Sequence, residues 1–202
     1  MPLKTLIFDL GNVIVPFDFT RAYRRFEALT GQPPEQVRAQ LSASGLFPKL
    51  ECGQIEPADF VHRIGELLNA PMPMAEFRDL WVSIFDREPA IPESLFARLR
   101  ERYRLLLLSN TNGIHFGWIH ETFPLLRHFD HFVLSHEVKA MKPDPAIFAH
   151  AISHARAEPG ECFFTDDIAD YVEGARRQGI DAEQFLGLDK LLVDLRRRGV
   201  DV

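Results

Sequence analysis

Apolar residues follow two rhythms along the chain. Four short runs are apolar on both faces: Thr5 to Phe8 (T-L-I-F), Arg104 to Ser109 (R-L-L-L-L-S), His131 to Ser135 (H-F-V-L-S) and Cys162 to Thr165 (C-F-F-T). Each ends at a polar residue, and unbroken hydrophobicity marks strands of a parallel sheet covered on both sides. A fifth strand is expected over Ala182 to Leu186. Between these runs the apolar positions recur at helical spacing. Pro92 to Tyr103 carries Leu95, Phe96 and Leu99 on one face. Asp144 to Ala155 opens with Asp-Pro, suited to an N-cap and first helical position, and Asp170 to Gln178 closes at Gly179. Gly187 to Arg198 reads as a closing helix. Strand alternating with helix predicts an α/β domain built on a doubly wound parallel sheet.

One stretch breaks the alternation. Residues 18–88 carry amphipathic helical patterns over Phe19 to Leu29, Pro34 to Leu41, Pro57 to Leu68 and Met74 to Phe85, and no strand signal. Gly31, Pro33, Pro48, Gly53, Pro71 and Pro73 punctuate them. The expected organisation is therefore an α/β core formed by residues 1–17 and 89–202, with a helical cap, 18–88, inserted after the first strand. An insertion at the carboxyl end of a strand lies over the ligand crevice of this architecture.

Composition narrows the function classes. The 202 residues are 46% hydrophobic and 26% charged, ordinary for a globular protein, and the net charge of −6 argues against nucleic-acid or membrane-surface partners. Cys52 and Cys162 form no CxxC spacing, which disfavours a disulfide scaffold or structural zinc and fits a reducing, cytoplasmic setting. No apolar run approaches the ~20 residues of a membrane span, and the start of the chain does not read as a signal peptide.

Four polar clusters are expected at the carboxyl ends of the four strands: Asp9, Ser109-Asn110-Thr111, Lys142 and Asp166-Asp167. Alone, each has an ordinary structural reading as a turn residue, an N-cap or a solvated charge. Together they share one sheet edge. Closely placed carboxylates do not all stay ionised without a cation, and Mg²⁺ takes oxygen ligands. A hydroxyl with neighbouring backbone N–H groups and a lysine suits a phosphate, and a carboxylate can serve as a covalent nucleophile.

F-D-L-G-N-V, L-L-S-N-T-N, K-P-D-P-A-I-F and F-F-T-D-D-I-A-D-Y-V-E-G-A resemble, in order and separation, the four motifs of the haloacid dehalogenase-like hydrolase superfamily. L-E-C-G-Q-I-E-P-A-D-F resembles a recurring segment of that family's cap. The D-L-G-N-V version is similar to a branch containing sugar-phosphate phosphatases that act on compounds such as glucose 1-phosphate. The resemblance implies a Rossmann-like core, an Mg²⁺ cofactor and a small phosphorylated metabolite as substrate. It implies Asp9 as the nucleophile, Ser109 and the Asn110 N–H as phosphate ligands, and Lys142 as the charge-neutralising group. The Gly11 carbonyl, Asp9, Asp166 and Asp167 would hold the metal.

Gly11 departs from the pattern. Most phosphatases of the superfamily carry there a second Asp that protonates the leaving group, a contribution of about 10²–10⁴-fold. Asp18 and His136 are candidate replacements. Lys139, Tyr171 and Ile168 also depart from the usual residues. A dehalogenase of the same superfamily would need no cation, so the Asp166-Asp167 pair favours phosphate over carbon–halogen bonds. A receiver domain carries its acidic pair before the acceptor Asp rather than after it. A degenerate homologue that only binds a phosphorylated ligand is left open by Gly11. The histidines from His115 to His136 match no metal-binding spacing, and Cys162 reads as core.

Overall fold

The computed structural model describes residues 2–202. Five parallel strands form one sheet in the order β3-β2-β1-β4-β5: β1 (Thr5–Phe8), β2 (Arg104–Ser109), β3 (His131–Leu134), β4 (Cys162–Asp166) and β5 (Asp181–Gln184). The first four match the expected runs to within a residue. The fifth starts one residue before Ala182 and ends two before Leu186.

After β1 the chain enters five helices: α1 (Thr20–Thr30), α2 (Pro34–Ser44), α3 (Leu46–Glu51), α4 (Pro57–Leu67) and α5 (Met74–Trp81). Pro34 and Pro57 each start a helix, where a missing N–H costs nothing. Phe60, Phe77 and Trp81 pack ring against ring at 5.2–5.8 Å in this insert. The helix expected to run to Phe85 stops at Trp81 and tightens into a 3₁₀ turn over Val82–Ile84. The outgoing and returning strands of the connection pair there: Asp18 N–H donates to Ile84 O (2.9 Å) and Asp86 N–H to Pro16 O (2.9 Å). Those backbone groups are spent across the connection instead of along a helix.

The core resumes with α6 (Glu93–Leu99), α7 (Gly113–Thr122), α8 (Ser135–Val138), α9 (Pro145–Ala155), α10 (Ala169–Arg177) and α11 (Leu188–Arg197). Register explains how the sheet is covered. Leu6 pairs with Leu105 and Phe163, and Ile7 with Leu106 and Phe164. Side chains alternate along a strand. Leu6, Phe8, Leu105, Leu107 and Phe163 therefore join a core with Phe96, Ile119 and Leu195 from α6, α7 and α11. Ile7, Leu106, Leu108 and Phe164 join Ile147, Phe148 and Val172 from α9 and α10. Helices thus cover both faces, as a doubly wound sheet requires. The first of these cores is continuous with the insert: Trp81 stacks on His115 of α7 at 5.6 Å, and Phe85 meets the same ring edge-on at 5.0 Å.

Candidate active site

β1 lies at the centre of the sheet between β2 and β4, so the residues following these three strands are neighbours in space. Asp9 follows β1, its N–H donating to Thr165 O (3.0 Å). Ser109 ends β2 and Asp166 ends β4. Lys142 arrives from the loop between α8 and α9, its side chain 1% exposed. Its ammonium donates to Asp9 Oδ1 (2.6 Å), Asp166 Oδ2 (2.5 Å) and Leu108 O (3.0 Å). Asn110 fixes the loop that delivers it: the amide nitrogen donates to Lys142 O (3.0 Å) and the amide oxygen accepts from Lys142 N–H (2.8 Å). Asn112, in the same S-N-T-N run, accepts from Ile114 and His115 N–H and caps α7. The run therefore holds both a site residue and the ordinary N-cap.

Carboxylate oxygens of Asp9, Asp166 and Asp167 lie within 4.8 Å of one another. One ammonium faces three carboxyl groups. Burial pushes Asp9 up to about 7; Lys142 pulls it down and Asp166 pushes it further up. Burial and Asp166 likewise raise Asp167 above the ordinary carboxylate range. Burial would depress the Lys142 ammonium, but Asp9 and Asp166 outweigh it and hold it above its usual value. This surplus of buried negative charge on oxygen donors fits a hard divalent cation such as Mg²⁺. The two adjacent aspartates differ. Asp166 is fully buried, with one oxygen on Lys142 and the other accepting Ile168 N–H (2.9 Å). Asp167 faces the cavity, with Asn12 Nδ2 at 3.4 Å from its carboxylate.

The cavity over this edge has a volume of about 200 Å³. Asp9, Gly11, Ser109, Asn110, Lys142 and Asp167 form its floor, bringing together all the expected site residues except Asp166, which stands behind them. The Ser109 hydroxyl makes only a 3.5 Å contact with Asn110 O, so it is left for a ligand. Phe17, Phe19, Phe47 and Phe85 form an aromatic wall, and Tyr171, in contact with Asn110, closes one side. Gly11 carries a steric constraint. A Cβ there would lie 2.7 Å from Phe17 Cε1, so the Phe17 ring occupies the space an acidic side chain would need.

The two candidate replacement acids do not reach the cavity lining. Asp18 is tied to Thr20, accepting from its N–H (2.9 Å) and hydroxyl (2.6 Å). His136 uses Nδ1 on Thr111 O (3.2 Å). Two titratable lining residues were not among the expected site residues, although Glu51 lies in the L-E-C-G-Q-I-E-P-A-D-F segment and His115 in the histidine run. Glu51, the last residue of α3, extends over the site from the insert. His115 is buried with Nε2 unpartnered and is pushed down to about 3 by burial, so it is neutral. The other histidines do not converge: among the described residues, the aspartate trio is the one group with metal-ligand geometry.

Fold and site together define a doubly wound α/β protein with a lysine-bridged acidic centre. The model of the haloacid dehalogenase-like hydrolase family matches residues 3–179, and the chain belongs to that family. It is 28% identical over 188 residues to the D-ribitol-5-phosphate phosphatase of Bacteroides thetaiotaomicron, covering 90% of this chain and 91% of that one. It is 23% identical to a phosphorylated carbohydrates phosphatase of Thermotoga maritima, with 89% and 83% covered. A haloacid dehalogenase family enzyme of B. thetaiotaomicron, crystallised with magnesium and inorganic phosphate, superposes with a TM-score of 0.82 at 31% identity, covering 90% of this chain and 93% of that one. The acidic trio of this chain offers oxygen donors of the kind that Mg²⁺ takes. No helix among the described residues is long and apolar enough to cross a membrane.

Proposed function

We propose that the protein is an Mg²⁺-dependent phosphomonoesterase of small metabolites, with sugar or alditol phosphates as the expected substrates, working through an aspartyl-phosphate on Asp9. The observation that carries this reading is the Lys142 ammonium bridging Asp9 and Asp166 beneath a cavity that also receives Ser109. The bridge favours the ionised form of Asp9 against its burial, aims the carboxylate, and places positive charge where a phosphoryl group gathers negative charge. Asp9 attacks phosphorus, and Ser109 and the Asn110 N–H hold the phosphoryl oxygens. Asp9, the Gly11 carbonyl, Asp166 and Asp167 hold the Mg²⁺, which when bound neutralises charge on the transferring phosphate. Asp166 also anchors Lys142. The α1–α5 insert acts as the cap domain and restricts entry to small esters. The aromatic wall of the cavity suits the C–H faces of a sugar or alditol, and the relatives named for ribitol phosphate and phosphorylated carbohydrates point the same way.

The test is phosphate release from a panel of metabolite phosphates with Mg²⁺, comparing wild type with Asp9→Asn. Turnover that is abolished by the substitution and by EDTA supports the proposal. Wild-type release no faster than that of Asp9→Asn across the panel would refute it and leave the ligand-binding reading. Halide release in EDTA would instead identify a dehalogenase.

A further inference from the structure

We propose that Glu51 of the insert is the proton donor and acceptor of the reaction, standing in for the side chain that Gly11 lacks; this rests on the phosphatase reading above. A phosphate ester of an ordinary alcohol needs a proton on its leaving oxygen, and the floor of the cavity has no group to give one. Asp9 and Asp167 are spent on nucleophile and metal, Lys142 is locked between two carboxylates, and Phe17 fills the space beside Gly11. His115 is neutral, and its Nδ1 is engaged with Asn112. Glu51 is the remaining carboxyl that lines the cavity. Among the described residues its carboxyl has no hydrogen-bond or ion-pair partner, so its position above the site is not explained by a structural contact of that group.

The backbone around Glu51 is, by contrast, firmly held to the core. Ser135 Oγ donates to Glu51 O (2.6 Å), Lys139 Nζ donates to Gly53 O (2.7 Å), and Cys52 Sγ approaches Lys139 O (3.4 Å). Lys139 itself adopts the left-handed conformation (φ 59°) that closes α8 against this turn. Three contacts thus fix the turn while leaving one carboxyl unpaired in the lining of the cavity that holds Asp9 and Lys142, an arrangement suited to a positioned acid. Burial pushes that carboxyl up to about 7, Lys142 lowering it and Asp9 raising it. A proton is therefore available near neutrality.

The step balances. Asp9 Oδ forms a bond to phosphorus as the bond from phosphorus to the leaving oxygen breaks, and that oxygen takes the proton from Glu51. The resulting carboxylate then removes a proton from the water that attacks the aspartyl-phosphate, which frees Asp9 and returns Glu51 to its starting state. The products are the alcohol and inorganic phosphate.

Glu51→Gln keeps the shape and removes the exchangeable carboxyl proton. p-Nitrophenyl phosphate separates the two halves, because nitrophenolate leaves without protonation. In rapid-mixing experiments the variant is expected to release one nitrophenolate per site at within about tenfold of the wild-type rate, then turn over about 10²–10⁴-fold more slowly. With an alkyl phosphate such as glycerol 2-phosphate no such burst appears, and turnover falls by at least the same factor. A burst slowed as much as the steady state would show a merely structural role, and unchanged turnover on both esters would likewise overturn the proposal. A wild type that hydrolyses no phosphate ester would instead refute the phosphatase reading itself.

Discussion

Gly11→Ala should destabilise the protein in the wild-type background and cease to do so once Phe17 is shortened. A Cβ at position 11 would sit 2.7 Å from Phe17 Cε1. Carbon atoms prefer about 3.5–4.0 Å, so about 1 Å must be absorbed. The Phe17 ring faces the cavity on one side and is held on the others. It packs edge-on against Phe19 (5.6 Å) and Phe85 (6.1 Å), and the Phe17 N–H is tied to Asn12 Oδ1 (3.2 Å). Overpacking of this kind costs about 1–3 kcal/mol. Gly11 lies outside the positive-φ region, so replacing it adds no backbone strain and gains about 0.4–1 kcal/mol from the unfolded state. The expected net loss is about 0–2.6 kcal/mol, at about 2–4 °C of Tm for each kcal/mol in a chain of this size. In Phe17→Ala the clash disappears, and the same substitution should become neutral or stabilising by about 0.4–1 kcal/mol. A urea-unfolding double-mutant cycle reads the difference directly. Equal costs in the two backgrounds would refute the steric account of why position 11 is glycine. The cycle also bears on catalysis: Gly11→Asp alone should fail to speed hydrolysis of alkyl phosphates, because its carboxyl has nowhere to go while Phe17 is present.

Other perturbations test the rest of the site. Lys142→Ala leaves Asp9 and Asp166 buried without their cation, so it should lose phosphatase activity and about 3–5 kcal/mol of stability in metal-free urea unfolding. Asp9 and Glu51 both have native values raised to about 7, so the native state holds their protons more tightly than the unfolded chain. The stability they supply is full below about pH 4 and is lost as the pH rises through about 7, at up to about 1.4 kcal/mol per pH unit per proton. Unfolding midpoints in EDTA should therefore fall across that window and fall less in Asp9→Asn; midpoints that rise would contradict the assignment. Gly53→Ala would put a Cβ 2.2 Å from His136 O at a φ of +61°, and should cost upwards of about 2 kcal/mol and lower hydrogen-exchange protection over Leu46–Glu51. Asp167→Asn should raise the Mg²⁺ requirement for half-maximal turnover by at least about tenfold without changing the unfolding midpoint in EDTA by more than about 1 kcal/mol.

The parts of the molecule legible in its sequence are those in which a local pattern and the tertiary environment agree. T-L-I-F and R-L-L-L-L-S are apolar on both faces because helices cover both sides of the sheet, and their limits are the observed ones. The aspartates and Ser109 were visible because strand ends in a parallel sheet share an edge; Lys142, expected at a strand end, instead comes from the loop between α8 and α9 and was legible through its K-P-D-P-A-I-F motif. α7 was not: G-I-H-F-G-W-I-H-E-T has two glycines and apolar residues on every side, so no helical stripe emerges. α3 is six residues long with Pro48 inside its first turn, too short for periodicity to register. The expected helix through Phe85 ended early because its backbone pairs with Pro16 and Asp18, which lie far away in sequence. Glu51 and Phe17 fail for the same kind of reason. One depends on how the insert folds back over β1, the other on a ring returning to a glycine six positions earlier.

Under the proposed mechanism, these two residues together also account for a glycine two positions after Asp9. A residue at position 11 is carried by the same turn as Asp9, so an acid there is in place whether or not the insert is docked. A carboxyl on α3 is in place only while the Ser135, Lys139 and Cys52 contacts hold the turn against the core. Moving the proton from the core to the insert makes leaving-group departure conditional on docking, and the docked state is also the one in which Phe17, Phe19, Phe47 and Phe85 line the cavity. An ester too large for a cavity of about 200 Å³ would then not only bind poorly but also hold the acid away from its leaving oxygen. Discrimination against bulky esters should accordingly appear in kcat as well as in KM, and should weaken for p-nitrophenyl phosphate, whose leaving group needs no proton. Lys139→Ala tests this link: it removes one docking contact without touching the floor of the cavity. It should slow alkyl phosphates more than p-nitrophenyl phosphate in the first turnover, whereas a uniform loss would place the acid elsewhere.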